Sequence, residues 1–156
     1  MQGVERKFDD CLRKKLVFKT NSGNNEADAY IEKAKHYLKA MDYNIKGGFV
    51  DIGVSNAFYA MYHSLLALLS KLGYAARNQE CTINAIQHFI ENKKIDLDMK
   101  YIDLIRRTSE NKPKDAKMLR EELQYGTETS VDKKILDNLK SNAIEFVEVI
   151  EVLLKE

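Results

Sequence analysis

Apolar residues recur along most of the chain at intervals of three and four, the spacing of one helix face. Phe8, Leu12 and Leu16 stand four apart and predict a short, basic, amphipathic helix over residues 4–15. The run Asn21-Ser22-Gly23-Asn24-Asn25 predicts a turn, with Asn25 capping a helix over about 26–45 and Asp28 completing a weak capping box. Ala27, Tyr30, Ile31, Ala34, Tyr37, Leu38, Met41 and Ile45 form its apolar face. Gly47 and Gly48 break the pattern. From Val50 to Leu72 the chain is apolar on most faces, which predicts a helix in the middle of a bundle, and Gly73 is placed to stop it.

A short helix is predicted from Cys81 to Glu91, and another after Asp96, which can cap it, through Met99, Ile102, Leu104 and Ile105. Pro113 suits the first turn of a helix from Lys114 to about Gln124, where no N–H is needed. Ser130 can cap a last helix whose seam, Ile135, Leu139, Asn142, Phe146, Val149 and Leu153, has the alternating spacing of bundle packing. No stretch predicts a strand. The pattern reads as all-α: an up-and-down bundle of four to five helices. One domain covers residues 1–156, with residues 1–24 as an N-terminal extension carrying a short helix.

Composition narrows this further. With 156 residues there is room for one domain. A hydrophobic fraction of 44% builds one core, while a single proline and seven glycines disfavour a turn-rich β fold. The net charge of +1 supplies no global field for nucleic acid. Locally, residues 1–20 carry six Lys/Arg against three Asp/Glu, and residues 121–156 carry four against nine. That asymmetry permits an RNA-facing or partner-facing surface. Cys11 and Cys81 form no metal-type pair, and the start lacks the pattern of a signal peptide. The apolar core of the central segment, Ala57 to Leu69, is shorter than a bilayer span, so no membrane association is expected. The resulting expectation is a cytoplasmic protein with free thiols, no metal site and no cofactor.

Two stretches carry candidate chemistry. In the central helix Ser55, Tyr59 and His63 stand four apart on one face, with Asn56 and Tyr62 beside them. Polar groups on an otherwise apolar helix either bond across the bundle or line a site. The second stretch is Leu119-Arg120-Glu121-Glu122-Leu123-Gln124-Tyr125-Gly126, an arginine near a helix end followed by a tyrosine and a turn, suited to a phosphate or a carboxylate. Phosphate loops, dinucleotide fingerprints, zinc-protease motifs and di-iron ligand pairs are missing from the sequence.

On these two stretches, together with Cys11-Leu12-Arg13-Lys14 at the start, the chain resembles the HEPN family (higher eukaryotes and prokaryotes nucleotide-binding), in particular its small stand-alone prokaryotic and archaeal members. Ser55 to His63 is similar to the family's small/polar-x-x-x-Tyr-Ala-x-Phe/Tyr-His signature, and Leu119 to Gly126 to its Leu-Arg-x-x-Ala-Asp-Tyr-Gly. The resemblance spans roughly residues 8–155. It implies a helical bundle, a homodimer, and a setting in which many members are metal-independent ribonucleases or toxins encoded beside a minimal nucleotidyltransferase. It also implies a catalytic Arg followed by His after four to six residues. This chain departs from that signature: no histidine follows Arg120, and ten residues separate Arg77 from the next histidine, His88.

The binding residues expected from the resemblance are Ser55, Asn56, Tyr59, His63, Arg120 and Tyr125, with Arg120 and His63 as weak catalytic candidates. The resemblance also implies a modification site: in toxin–antitoxin members a tyrosine close to the catalytic motif can be modified by the partner nucleotidyltransferase, and Tyr125 occupies a similar place. The expected function is a dimeric module associated with nucleic acid or a nucleotidyltransferase, in a toxin–antitoxin or RNA-linked system, without the usual nuclease site. The alternatives are a metal-independent ribonuclease with a divergent site, and a purely structural or adaptor bundle.

Overall fold

The computed structural model describes residues 2–21, 23–106, 120, 121, 123, 124, 126, 127 and 129–156. Its elements run α1 (Gln2–Arg13), β1 (Val17–Lys19), α2 (Gly23–Lys46), α3 (Val50–Lys71), β2 (Tyr74–Ala76), α4 (Gln79–Glu91), α5 (Lys100–Ile105) and α6 (Lys133–Leu154). Residues 120, 121, 123 and 124 are also helical. The predicted helix start at Pro113 and Lys114 lies outside the described residues, as does Tyr125.

The fold is the expected helical bundle, with α3 at its centre. Asn44 bonds Asn56, Tyr37 meets Tyr59, and Tyr30 meets His63, so α2 and α3 run antiparallel from the turn at Gly47 and Gly48. A Cβ at Gly53 would come within 2.5 Å of Ile45 Cγ1, so the glycine lets the two helices approach closely near that turn. Ala34, Ala60 and Val147 pack together and bring α2, α3 and α6 into one layer of small side chains. Lys35 pairs with Glu151 across α2 and α6. At the far end Lys71 Nζ donates to the Leu153 carbonyl at 3.2 Å and to the Leu154 carbonyl, satisfying the last turn of α6.

α3 has the length and composition of a membrane-spanning helix, which revises the reading that the segment is too short. In this fold most of its apolar surface is covered instead: Val54, Ala57, Phe58, Met61, Leu65 and Leu69 are fully enclosed by neighbouring elements, while Ile52 near its start stays exposed. α3 ends as predicted. Leu72 is its C-cap, and Gly73 follows with φ +87°, a left-handed conformation that glycine adopts without penalty.

Several local expectations are corrected. Asn25 lies inside the first turn of α2 instead of capping it, because the helix begins at Gly23. α5 starts only at Lys100, whose N–H is accepted by Asp98, so Asp96 is not its cap. Asp132, not Ser130, occupies the N-cap of α6. The buried stripe of α6 is Leu136, Leu139, Ala143, Phe146, Val147 and Ile150, rotated by about one residue from the predicted seam, and Ile135 is exposed. Adjacent apolar residues at 135–136 and 149–150 made both seams compatible with the spacing.

The N-terminal segment departs most from expectation. β1 pairs antiparallel with β2, Val17 opposite Ala76 and Lys19 opposite Tyr74, where no strand was predicted. Three residues are too few to show a period. Cys11 and Cys81 are not free thiols. They form a disulfide that spans 70 positions of sequence, with Cα atoms 5.9 Å apart. The packing of α1 on α4 and the β1–β2 pair bring together two residues that no spacing rule links. This removes the free-thiol ground for a cytoplasmic setting.

Candidate functional site

Ser55, Tyr59 and His63 share a half-buried face of α3, as their spacing predicts. Asn56 is already committed to the fold, since its Oδ1 accepts from Asn44 Nδ2 at 2.8 Å. His63 Nδ1 stands 2.8 Å from the Tyr59 carbonyl. A carbonyl only accepts, so Nδ1 carries the proton and Nε2 holds the lone pair of the neutral ring. Burial lowers the His63 pKa below the usual histidine value and Lys33 adds to that, while the bond to the Tyr59 carbonyl opposes it. Neutral His63 sits among four tyrosines, with ring centroids 5.1 Å from Tyr37, 5.6 Å from Tyr62, 6.2 Å from Tyr30 and 6.3 Å from Tyr59.

Arg120 comes to the same helix from the opposite end of the sequence. Its guanidinium carbon lies 4.7 Å from the Phe58 ring centroid and 5.5 Å from that of Tyr59. Nη1 donates to Gln124 Oε1 at 2.7 Å, and Nη2 is 4.0 Å from Glu121 Oε1. The side chain is only 7% exposed, and Nε is buried without a hydrogen-bond partner among the described residues. Burying a guanidinium this deeply is costly unless aromatic faces and acceptors replace its water. The two stretches singled out in the sequence therefore meet at Phe58 and Tyr59. Tyr59 touches both halves of the site, Arg120 on one side and His63 on the other.

The sequence did not indicate a second polar cluster. Arg106, just after α5, donates to Asn84 Oδ1 at 2.6 Å and to Gln87 Oε1, and stands 3.8 Å from Glu80. Burial pushes its pKa below the usual arginine value, while Glu80 and Asp103 counter the shift. Glu80, Asn84 and Gln87 lie three to four apart on α4, which is the one signal the sequence carried for it. Tyr62 joins α4 to the first site. It stacks on Phe58 with planes 7° apart and brings its hydroxyl 3.5 Å from Thr82 Oγ1. The Thr82 hydroxyl already donates to the Asn78 carbonyl, so Tyr62 is the donor in that pair. Among the described residues no group of three or more His, Cys, Asp or Glu side chains is placed to hold a metal ion.

The model of the family described as HEPN domain matches residues 27–153. The chain belongs to the HEPN family. The match runs from the start of the second turn of α2 almost to the end of α6, so it contains both motifs and most of the bundle core. α1, β1 and the Cys11 half of the disulfide lie ahead of it. No curated protein matches the chain in sequence.

Proposed function

We propose that this HEPN domain is a non-nucleolytic module that works as a homodimer with RNA or with a nucleotidyltransferase, in a toxin–antitoxin or RNA-linked system. The observation that carries the reading is the seating of Arg120. Its guanidinium is enclosed by Phe58, Tyr59 and Gln124 instead of being presented to solvent. No histidine follows it in the sequence to serve as general acid or base. An arginine held this way orders the end of its helix against α3 and gives the surface around Tyr59 a fixed shape for a partner.

The test combines cleavage and association. Purified protein and its Arg120→Ala variant are incubated with mixed RNA, with and without a chelator, and mass in solution is followed by light scattering. Intact RNA in every tube with a dimeric mass supports the module. A monomer that binds neither RNA nor a co-encoded protein overturns it.

One arrangement favours a second reading, a divergent metal-independent ribonuclease. Tyr59 contacts both Arg120 and a neutral His63 whose Nε2 carries the ring's lone pair, the proton-accepting form. Cleavage that survives chelation and disappears in both Arg120→Ala and His63→Gln selects this reading over the first.

A further inference from the structure

We propose that the Cys11–Cys81 disulfide is a redox latch that holds the N-terminal arm, α1 and β1, on the HEPN bundle, and that a dithiol reductant frees the arm while the bundle stays folded. The arm lies outside the segment that matches the family, and the layer of Ala34, Ala60 and Val147 joins α2, α3 and α6 without it. Its other attachments are non-covalent: Phe8 and Val17 are buried in the main core, Arg77 lies over the Phe18 ring at 4.9 Å, and the Thr20 and Arg77 N–H groups donate to the Gly73 and Leu16 carbonyls at 2.8 Å each. The Phe8 ring stacks on His88 at 4.1 Å and meets the edge of Phe89 at 5.5 Å. β1 pairs with β2 over three residues, and Arg77 Nε donates to the Lys15 carbonyl at 3.1 Å. A 12-residue helix and a three-residue strand pair are each marginal alone. The cross-link adds a covalent tie to this docking.

The latch closes on a sensitive place. Cys81 is in the first turn of α4, and its N–H is held by the Asn78 cap at 2.7 Å. Its neighbours in sequence reach both arginine clusters: Glu80 faces Arg106, and Thr82 receives the hydroxyl of Tyr62, which stacks under the seat of Arg120. Opening the latch therefore frees the turn that connects the arm to both clusters.

The chemistry is thiol–disulfide exchange. A thiolate of the dithiol attacks one Sγ, the S–S bond breaks and a mixed disulfide forms. The second thiol of the reductant resolves it. The reductant leaves as its disulfide, and the chain retains two electrons and two protons as two thiols. Cys11 and Cys81 are only 4% and 5% exposed, so the reductant reaches the bond through a local opening of the packing around it. Reduction is thus limited by that local opening, and its rate levels off as dithiol concentration rises.

The experiment uses the full chain purified without reductant, then reduced with dithiothreitol, then reoxidised with glutathione disulfide. Thiols are counted by alkylation and intact mass, and trypsin is applied briefly in each state. Arg13, Lys14 and Lys15 are exposed reporters between α1 and β1. The expected result is no free thiol in the oxidised chain and two after reduction. Cleavage in the arm should be faster by roughly tenfold or more in the reduced chain and in Cys11→Ser, while the helix signal in circular dichroism falls by no more than α1 contributes. Two free thiols after glutathione disulfide treatment, equal arm cleavage in all states, or a larger loss of helix signal on reduction would each overturn the proposal.

Discussion

The Arg120 guanidinium lies over the Phe58 ring, 4.7 Å from its centroid, and this contact joins the two ends of the HEPN signature in one packed unit. The residues are 62 positions apart, so nothing local holds them together. The contact combines burial of the arginine stem, attraction to the ring face and the bond to Gln124.

Arg120→Ala and Phe58→Leu should therefore be coupled. Each single change is expected to lower unfolding free energy by about 1–3 kcal/mol, and the double mutant should cost less than the sum by about 0.5–1 kcal/mol. Urea unfolding of the four proteins measures this. Strict additivity would mean that the ring contributes volume only.

Arg106 should behave as a structural arginine. Arg106→Ala leaves the 4% exposed Asn84 and its neighbour Gln87 without their donor. The expected loss is about 1–3 kcal/mol, chiefly from unsatisfied amides. Arg106→Ala combined with Asn84→Leu should recover part of it, because an apolar pair leaves fewer orphaned groups. Thermal unfolding of the single and double variants tests the order.

His63 gives stability a pH dependence with a definite sign. Its pKa is lowered in the fold, so below the ordinary histidine value of 6.5 the unfolded chain takes up the proton first. Its contribution is complete above 6.5 and is lost as pH falls through that value towards the folded pKa. Between about pH 7 and pH 5 the unfolding free energy of the wild type should fall more steeply than that of His63→Gln. Parallel slopes would show that His63 carries no linkage.

Gly73 tests the backbone alone. A Cβ there would meet only the Thr20 carbonyl oxygen, at 3.9 Å, so Gly73→Ala creates no clash. The cost comes from φ +87° and should be about 1 kcal/mol or somewhat more. Gly53→Val should cost more through crowding against Ile45, about 1–3 kcal/mol. Midpoints in urea rank the two.

Much of the bundle was legible one helix at a time. The apolar run that became α3 announced a central helix, and Gly73 announced its end, because burial on all faces and a left-handed stop are local signals. The α2 face was also correct at Ala27, Ile31, Ala34 and Met41, since a single period of 3.6 suffices. On α6 the same rule left two seams open, and only the position of α2 and α3 decided that Leu136 and Ile150 face inward.

The site divides along the same line. Sequence placed Ser55, Tyr59 and His63 on one face and marked Arg120 as notable, because helical spacing and residue chemistry are local. That spacing could not say that Arg120 sits on Phe58, that Arg106 is gripped by α4, or that Cys11 meets Cys81. Those pairs are 62, 22 and 70 positions apart for Arg120 with Phe58, Arg106 with Asn84, and Cys11 with Cys81. The sequence by itself determined the helices and the residue types at the site. Tertiary structure alone decided which distant side chains share a dielectric, a hydrogen bond or a covalent link, because those depend on how whole elements pack and not on the period of any one of them.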